Sequence, residues 1–368
     1  MERGLARSRD HQEPRIAPKR RIRLMIVDDS MVARAVLSRM IESDTDFEIA
    51  AVAGTAEDAI DALQAVRVDT ILLDLEMPGA GGLKLIPEII KAAGGARVMI
   101  VSSLADEGAE HTVRALAQGA ADAMPKPGTG RFNGRFSEVM LSKLKALGRA
   151  DDQPPLPEPI KLQGFAPLRA MPAEQIGLLA IGASTGGIHA LATFFQALPP
   201  RIGVPILVTQ HLPAPFMPVF ARQLGVAARR ETLVAEDGMA LLPDRILVAP
   251  GDAHLAVEAV SGGHVANLLN HPVSSGCMPS VDPMFASAGE AFGAAALGVI
   301  LTGMGKDGLE GAAKLVANGG SVLAQDEDSC AVWGMPRAVI EAGLASAVMP
   351  PEKIARRVAS RTGDEPCK

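Results

Sequence analysis

Apolar and polar positions along the first third of the chain alternate in a way that predicts strands followed by helices. Apolar runs of strand length are separated by segments in which apolar residues recur every three or four positions, as they do on one helix face. The predicted strands are 22–27, 47–53, 68–74, 97–102 and 120–124, and the helices include 57–66, 82–93 and 107–118. This alternation predicts a parallel sheet covered by helices on both faces, with right-handed crossovers.

The same alternation returns in the second half of the chain and predicts a second, larger parallel sheet. Strands are predicted at 177–182, 204–209, 245–249, 297–302 and 320–324, with shorter ones near 232–236 and 264–269. Helices are predicted at 187–198, 214–224, 283–293 and 308–318. We therefore expect a doubly wound α/β domain here as well.

A proline-rich segment separates the two halves. It contains six prolines between 148 and 175 and has no sustained periodicity, so we expect an extended, semi-rigid linker. A chain of 368 residues is long enough for two domains of about 150 residues each. The predicted division is a disordered basic tail at 1–21, a first domain at 22–147, the linker at 148–175, a second domain at 176–358 and a C-terminal tail at 359–368.

Composition narrows the class of protein before any motif is considered. Hydrophobic residues make up 48% of the chain and the net charge is −6, which fits a globular protein with buried cores and argues against a general nucleic-acid binder. Cys277, Cys330 and Cys367 are far apart and fit neither a disulfide framework nor a zinc-binding spacing, which suits a reducing cytosol. The longest apolar runs are only strand-sized, so we expect a cytoplasmic protein without membrane insertion.

Acidic residues gather where the predicted strands of the first domain end. Asp28 and Asp29 follow the first strand, and Asp74 ends the third. In the common strand order 2-1-3-4-5 the first and third strands are neighbours, so these carboxylates would repel one another unless a cation such as Mg²⁺ lies among them. Ser102 and Lys126 follow at the next two strand ends, where a hydroxyl and an ammonium could bind phosphoryl oxygens. Singly, each residue could instead cap a helix or finish a strand, but five at successive strand ends favour a site.

The motifs that carry these residues resemble those of response-regulator receiver domains. They are DDS at 28–30, LLDLEMP at 72–78, VSS at 101–103 and PKP at 125–127. The resemblance implies a flavodoxin-like fold in which Asp74 accepts a phosphoryl group from a histidine kinase. It also implies that Asp28 and Asp29 hold Mg²⁺ together with Asp74, and that Ser102 and Lys126 contact the phosphoryl group.

A glycine-rich turn follows the first predicted strand of the second domain. The stretch IGLLAIGASTGG at 176–187 predicts a buried strand, a turn and the start of a helix. Ser184 would lie at the carboxyl end of the strand, beside helix N–H groups that favour negative charge. This position suits a hydrolytic nucleophile and a bound phosphate equally well. The G-x-G-x-x-G spacing of dinucleotide-binding loops does not occur between Gly182 and Gly187.

A histidine and an aspartate stand at the ends of later predicted strands. His211 ends the strand after Ser184, and Asp307 follows a later one, so parallel strands would bring the three side chains to one edge of the sheet. A histidine can take the proton of a serine hydroxyl, and a carboxylate can fix the tautomer of the histidine. The glycines on either side of Met304 could aim a backbone N–H at an oxyanion. Singly, Ser184 could cap a helix, His211 could be structural and Asp307 could be a turn residue.

Six motifs of the second domain together resemble the CheB family of chemotaxis protein-glutamate methylesterases and glutaminases. They are IGASTGG at 181–187, the pair Gln210-His211, APGDAHL at 249–255, PSVDPMF at 279–285, ILTGMGKDG at 300–308 and GMPRAV at 334–339. The order Ser-His-Asp along the chain differs from that of α/β-hydrolases, so the match of GASTG to G-x-S-x-G does not predict that fold. The resemblance covers most of residues 22–358, in the domain order of the family.

This resemblance implies a methyl-accepting chemotaxis receptor as the substrate and no cofactor in the second domain. Ser184 would be the nucleophile, His211 the base and Asp307 the residue that orients the base. Thr185 and the backbone of Met304 would lie near the reaction centre. The domain order further predicts that the unphosphorylated first domain covers the Ser184 edge and that phosphorylation loosens the contact.

Two features of the sequence depart from the family patterns. Receivers usually carry an aromatic residue three positions before the lysine, where this chain has Ala123. The pair Cys277-Met278 precedes Pro-Ser-Val-Asp where basic residues are expected. The alternative to an enzyme is a receiver joined to a non-catalytic α/β binding module. The joint presence of Ser184, His211 and Asp307 favours the enzyme.

Overall fold

The computed structural model describes residues 20–77, 82–102, 106–126, 134–149 and 167–362. Most of the predicted N-terminal tail and linker, the end of the C-terminal tail, and Pro78, Ser103, Pro127 and Cys367 lie outside these described residues. The predicted limits of tails, linker and domains stay predictions. Among the described residues, no helix is both long enough and apolar enough to cross a bilayer.

The first domain is built on a five-stranded parallel sheet. Its strands are β1 Ile22–Val27, β2 Phe47–Ala53, β3 Thr70–Asp74, β4 Arg97–Ser102 and β5 Asp122–Pro125. Its helices are α1 Met31–Glu42, α2 Ala56–Ala65, α3 Gly82–Ala92, α4 Asp106–Ala117 and α5 Gly134–Gly148. The strand order is β2-β1-β3-β4-β5 and neighbouring strands run parallel, which confirms the predicted order. The carboxyl ends of β1 and β3 therefore lie side by side.

Local sequence explains where these elements begin and which faces they bury. The hydroxyl of Ser30 accepts the Ala33 N–H at 3.2 Å, so Ser30 caps α1 as its residue type favours. Within β3, the consecutive residues Ile71 and Leu72 are both buried but belong to different apolar clusters. Successive strand residues point to opposite faces, so the sheet is covered on both sides.

The second domain is built on a seven-stranded parallel sheet with an additional hairpin. Its strands are β6 Leu178–Ala183, β7 Ile206–Gln210, β8 Thr232–Val234, β9 Ile246–Val248, β10 His254–Val260, β11 Gly263–Leu269, β12 Ala296–Ile300, β13 Ser321–Gln325 and β14 Ala345–Met349. Its helices are α6 Gly187–Ala197, α7 Met217–Ala228, α8 Val281–Phe292, α9 Leu309–Ala317, α10 Met335–Glu341 and α11 Pro351–Ala359. The order β14-β13-β12-β6-β7-β9-β8 places β6 at the centre, between β12 and β7.

The predicted second parallel sheet is confirmed, but four of its elements are absent from the sequence prediction. The strand predicted near 264–269 is real, yet it pairs antiparallel with β10, which the pattern does not reveal. The first four residues of β10 are buried and its last three are exposed, so neither alternation nor a long apolar run marks it. The edge strand β14 and the helices α10 and α11 are also missing, because each presents only a short apolar signal.

The first domain packs on the carboxyl edge of the second sheet. The Gly186 N–H donates to the Ala121 carbonyl at 2.6 Å, and the Arg97 Nε donates to the Ala331 carbonyl at 3.1 Å. Val332 and Met304 of the second domain join an apolar cluster of the first domain that includes residues of β1, β4, β5 and α5. The loops that follow β6, β12 and β13 are therefore covered by the first domain.

Candidate active site

Ser184 lies at the turn between the central strand β6 and helix α6. Every residue of β6 is buried, and the Ser184 N–H donates to the Thr302 carbonyl at 3.0 Å. Gly186 has a φ of +78°, which a side chain would strain, and a Cβ on Gly187 would lie only 2.7 Å from the Cβ of Ala183. Glycines are therefore needed for the tight turn that leaves Ser184 at the sheet edge.

His211 follows β7 directly and faces Ser184. Its Nδ1 lies 3.1 Å from Ser184 Oγ, and its Nε2 lies 2.8 Å from Asp307 Oδ2. An ionised carboxylate can only accept hydrogen bonds, so Nε2 carries the proton and the Nδ1 lone pair faces the serine hydroxyl. This tautomer prepares the ring to accept the serine proton. The two nitrogens have exchanged places relative to the chymotrypsin template, but the chemistry they allow is the same.

Asp307 lies in the loop after β12 and is only 2% exposed. Its Oδ1 accepts from Ser280 Oγ at 2.5 Å, and its Oδ2 accepts from the Val281 N–H at 2.7 Å as well as from His211. Burial alone would raise the pKa of Asp307, but the interaction with His211 and the bonds from Ser280 and Val281 lower it below its usual value. The carboxylate is thus held ionised and fixed in orientation.

A further layer of residues holds the loop that binds Asp307, and sequence reasoning assigned no role to it. The buried ring of His254 accepts the Ser280 N–H at Nδ1 over 2.9 Å and approaches the His271 carbonyl with Nε2 at 2.8 Å. Ser280 also caps α8 by accepting the Asp282 N–H. Burial and the nearby charge of Asp307 raise the pKa of Asp282 to about 6. The serine of PSVDPMF directly before the apolar segment, followed by an acidic residue in the first turn, is the signal that could have identified this cap.

The segment from 302 to 304 passes close to the candidate nucleophile. A Cβ on Gly303 would lie 2.8 Å from Ser184 Cβ, and Thr302 Oγ1 donates to the Thr185 carbonyl at 2.9 Å. The Gly303 N–H already donates to the Val332 carbonyl, so it does not serve an oxyanion. The predicted role of the Met304 backbone stays a prediction, and the half-buried Met304 lies in this segment.

Thr185 connects the site to the first domain. It is buried, and its Oγ1 donates to Asp122 Oδ2 of β5 at 2.5 Å. Asp122 also accepts from Lys143 Nζ of α5 at 2.8 Å. Asp122 did not stand out in the sequence, because its role depends on how the two domains pack. The residue next to the candidate nucleophile is therefore tied to the sheet of the first domain.

Cys277 belongs to the loop that enters the site before Ser280. Its Sγ, a ring nitrogen of His211 and a carboxylate oxygen of Asp307 all lie within 4.8 Å of one another. Burial, with a further contribution from the charge of Asp307, raises the pKa of the Cys277 thiol to about 11. The thiol is therefore neutral at physiological pH, beside an ionised carboxylate.

The acidic residues of the first domain converge as the sequence predicts. One carboxylate oxygen from each of Asp28, Asp29 and Asp74 lies within 4.8 Å of the others. Lys126 Nζ lies 2.6 Å from Asp74 Oδ2 and 3.7 Å from Asp28 Oδ2. Burial and the charge of Asp74 raise the pKa of Asp28, and a divalent cation would relieve this crowding. Three oxygen ligands with one exposed side fit Mg²⁺.

Ser102 completes the same rim, at the carboxyl end of β4. It is buried, and its carbonyl accepts the Lys126 N–H at 2.7 Å. The structure therefore brings together the five residues predicted for phosphoryl and metal contacts, and separately the three predicted for nucleophilic chemistry. Their chemical roles remain predictions.

The fold and the two sites define a class of protein. It is a response regulator whose second domain carries a serine, a histidine and an aspartate linked by two hydrogen bonds. Comparison with known families agrees with this class. Residues 24–131 match the response regulator receiver domain, and residues 179–358 match the CheB methylesterase domain. The chain belongs to the CheB methylesterase family, which confirms the resemblance drawn from its motifs.

Curated relatives match along nearly the whole chain. A protein-glutamate methylesterase/protein-glutamine glutaminase of Azospirillum brasilense is 40% identical over 92% of this chain and 93% of its own length. A second protein of that name from Caulobacter vibrioides is 40% identical over 92% of this chain and 99% of its own length. Among solved structures, the CheB methylesterase catalytic domain of Thermotoga maritima is 37% identical, with a TM-score of 0.49 over 50% of this chain and 98% of that one.

Proposed function

We propose that this protein is a phosphorylation-regulated hydrolase that demethylates glutamyl methyl esters and deamidates glutamines on methyl-accepting chemotaxis receptors. One observation carries the proposal: the Ser184 hydroxyl, the His211 ring and the Asp307 carboxylate form a continuous hydrogen-bonded chain of 3.1 and 2.8 Å. A non-catalytic binding module has no need of this chain. Relatives that cover nearly the whole length bear the matching enzymatic name.

The geometry supports a two-step acyl transfer. His211 Nδ1 takes the hydroxyl proton as Ser184 Oγ attacks the γ-carbonyl carbon of the substrate, and the carbonyl electrons move to oxygen. The C–O bond to the methoxy group then breaks, and the His211 proton passes to the leaving oxygen, which releases methanol. Water, deprotonated by the same ring, attacks the acyl-serine; the bond to Ser184 Oγ breaks, the ring returns the proton to that oxygen, and a glutamate carboxylate is freed. Asp307 stabilises the imidazolium form of His211 throughout.

Glutamine deamidation needs no additional machinery. The amide presents the same γ-carbonyl, and the proton held by His211 passes to nitrogen so that ammonia leaves. Both reactions end on a glutamate carboxylate and therefore add one negative charge to the receptor. That charge acts within a Debye length of about 8 Å at physiological ionic strength.

Contacts between the two domains support regulation by the first. The bond from Thr185 to Asp122 and the packing of Met304 against the first domain cover the loops beside Ser184. The same strand that carries Asp122 leads directly to Lys126, which contacts Asp74. A phosphoryl group on Asp74 would draw Lys126 toward its oxygens. Because Lys126 directly follows β5, this movement would displace the strand and weaken the hydrogen bond between Asp122 and Thr185.

The cofactor and partners of the proposed function follow from the first domain. Asp28, Asp29 and Asp74 would hold Mg²⁺, which supplies charge neutralisation for phosphoryl transfer, and no cofactor is proposed for the second domain. A histidine kinase would be the phosphoryl donor, and Ser102 and Lys126 would contact the phosphoryl group. The proposed location is the cytoplasm, where receptor signalling domains and kinase meet.

Methanol release from methylated receptor tests the catalytic proposal. Ser184→Ala removes the attacking oxygen, so we expect the rate to fall by about 10⁶-fold, by analogy with loss of a triad serine in subtilisin. Ammonia release from the glutamine form should fall in parallel, because both reactions use the same nucleophile. Ser360→Ala, which removes a hydroxyl at the end of α11, serves as the matched control.

Two results would contradict the proposal. If the Ser184→Ala protein retains its rate, the nucleophile is elsewhere. If the wild-type chain binds receptor but releases neither methanol nor ammonia, the non-catalytic binding module is the better description.

A further inference from the structure

The loop from 275 to 278 brings a sulfur atom to the candidate active site. The Cys277 N–H bonds to Ser275 Oγ at 3.3 Å, and Gly276 has a φ of +68°, so the local backbone turns tightly and fixes where the thiol lies. The Cys277 side chain is half-buried rather than solvent-facing. Its sulfur, a ring nitrogen of His211 and an oxygen of Asp307 form a cluster within 4.8 Å. The esterase mechanism uses the last two groups but not the thiol.

We infer that Cys277, His211 and Asp307 form a binding site for a soft divalent transition-metal cation, for which Zn²⁺ is the reference ion, and that its occupation switches the esterase off. The claim that a metal binds depends only on the side-chain cluster. The claim that the metal inhibits the enzyme rests on the proposed function.

The identity and spacing of the three donors favour zinc. Zinc takes thiolate, imidazole and carboxylate ligands at about 2.0–2.3 Å, so ligand atoms around one ion lie roughly 3.3–3.8 Å apart in a tetrahedral arrangement. Separations near the 4.8 Å limit of the cluster need to shorten by about 1 Å to reach that arrangement. His211 Nε2 and Asp307 Oδ2, now 2.8 Å apart, need to separate by roughly 0.5 Å to bind one ion together. The thiolate and the carboxylate would neutralise the two charges of the cation. The Asp307 orientation is already fixed by Ser280, as metal ligands usually are by their neighbours.

The ligand atoms of the two candidate cation sites among the described residues differ in chemical hardness. Asp28, Asp29 and Asp74 offer oxygen atoms only, which suits Mg²⁺. The second site offers sulfur and nitrogen with one oxygen, which suits zinc and its neighbours in the transition series. Magnesium at millimolar concentration therefore occupies the first site without competing for the second.

Metal binding removes the base whichever ring nitrogen is used. The cation accepts one lone pair each from sulfur, nitrogen and oxygen, and the thiol proton passes to solvent. If His211 binds through Nε2, its proton moves to Nδ1, which then donates to Ser184 instead of accepting from it. If His211 binds through Nδ1, the lone pair that faced Ser184 is consumed. In both cases the serine hydroxyl has no acceptor for its proton.

Cobalt spectroscopy tests the site independently of catalysis. Co²⁺ added under nitrogen to the full chain in excess Mg²⁺ should give a near-ultraviolet thiolate-to-cobalt charge-transfer band that added Zn²⁺ abolishes. Cys277→Ser should lack the band because sulfur is gone. Cys367→Ser, which removes a thiol outside the described residues, should keep it. A band that persists in Cys277→Ser, or no band in the wild-type chain, overturns the inference.

Zinc inhibition of methanol release tests the switch. For each protein the readout is the ratio of its rate with Zn²⁺ to its rate without Zn²⁺. A chelator should restore the rate of the zinc-inhibited wild-type chain. Cys277→Ser should raise the zinc concentration at half-inhibition by at least about 10–100-fold, because loss of an outer-shell partner alone costs that much and here the ligand atom itself is removed. An equal zinc response in both proteins, or activation by zinc, overturns the switch. The zinc-free comparison with Ser184→Ala decides the proposed function separately, so the two failures are distinguishable.

Discussion

The two domains place chemically different sites at the same structural position, the carboxyl edge of a parallel sheet. In the first domain this edge gathers three carboxylates and a lysine, all charged groups. In the second it gathers a hydroxyl, an imidazole and a single carboxylate. Both arise because parallel strands end side by side and their loops converge. The fold therefore supplies the meeting place, and the residues that end each strand decide the chemistry.

The carboxylates of the two sites show how burial and neighbouring groups set the pKa of an aspartate. Asp28 is buried beside Asp74, and its pKa is raised first by burial and then by the charge of Asp74. Asp307 is equally inaccessible to solvent, yet its pKa is lowered because His211 attracts it and Ser280 and Val281 donate to it. The chemistry of the first arrangement suits a cation, whereas the carboxylate of the second is already satisfied by hydrogen-bond donors and suits the orientation of a base.

Asp307→Asn breaks the second arrangement, and its expected effect on the rate is second only to that of Ser184→Ala. The amide can donate to His211 Nε2, which stabilises the tautomer with the proton on Nδ1 and turns the base away from its task. We expect the turnover number for methanol release to fall by about 10⁴-fold, as in the equivalent change of the chymotrypsin-type triad. Asp328→Asn, at an exposed position, is the matched control. A loss smaller than tenfold would show that Asp307 does not orient the base.

Asp122→Ala severs the connection between the two domains and should raise the activity of the unphosphorylated chain. The change removes the acceptor of the Thr185 hydroxyl, a buried bond of 2.5 Å to a charged group. Loss of such a bond shifts a domain equilibrium by about 1–3 kcal/mol, which is roughly 5–150-fold. The methanol release rate of the unphosphorylated protein should rise within that range and approach the phosphorylated wild-type rate.

Two controls separate this connection from general loosening of the interface. Lys143→Met removes the ion pair with Asp122 but keeps the Thr185 bond, so the rate should change little by comparison. Asp74→Asn removes the proposed phospho-acceptor, yet the gain from Asp122→Ala should persist in that background because the broken contact lies between Asp74 and the candidate active site. If the gain disappears with Asp74→Asn, Asp122 acts through the phosphorylation site instead.

Residues at strand ends could be predicted from sequence in both domains, for one physical reason. Apolar runs mark buried parallel strands, and polar residues that directly follow them must lie at one edge. Asp74, Ser184 and His211 were all located in this way, and the structure places each at the end of its strand or one residue beyond it. Asp307 lies seven residues beyond the end of β12. Its place at the same sheet edge was predicted only because its loop follows a parallel strand.

The contacts that could not be predicted all join elements distant in sequence. Asp122 meets Thr185 only because two separately folded sheets pack together, and no local periodicity encodes that packing. His254 reaches Ser280 because β10 and β11 fold as a hairpin over α8, and the sequence pattern did not reveal β10. The approach of Cys277 to His211 likewise depends on a loop whose path no residue period determines.

The smallest expected effect concerns Asp282, whose raised pKa contrasts with the lowered pKa of Asp307. It is measured as a change in the free energy of unfolding and not in the reaction rate. Its carboxyl accepts the Gly311 N–H at 2.7 Å and lies beside Asp307, and burial with that charge raises its pKa to about 6 from an ordinary value of 3.8. Between these two pH values the folded state keeps the proton that the unfolded state releases. Stability from this group is thus complete below pH 3.8 and is lost as the pH rises through 6.

Asp282→Asn should therefore flatten the fall in the free energy of unfolding between pH 4 and pH 6, by on the order of 1 kcal/mol. The amide oxygen still accepts the Gly311 N–H, and the amide group carries no charge to repel Asp307. Urea unfolding of both proteins across this pH range measures the difference. Parallel profiles would mean that Asp282 ionises with the same pKa in the folded and unfolded states.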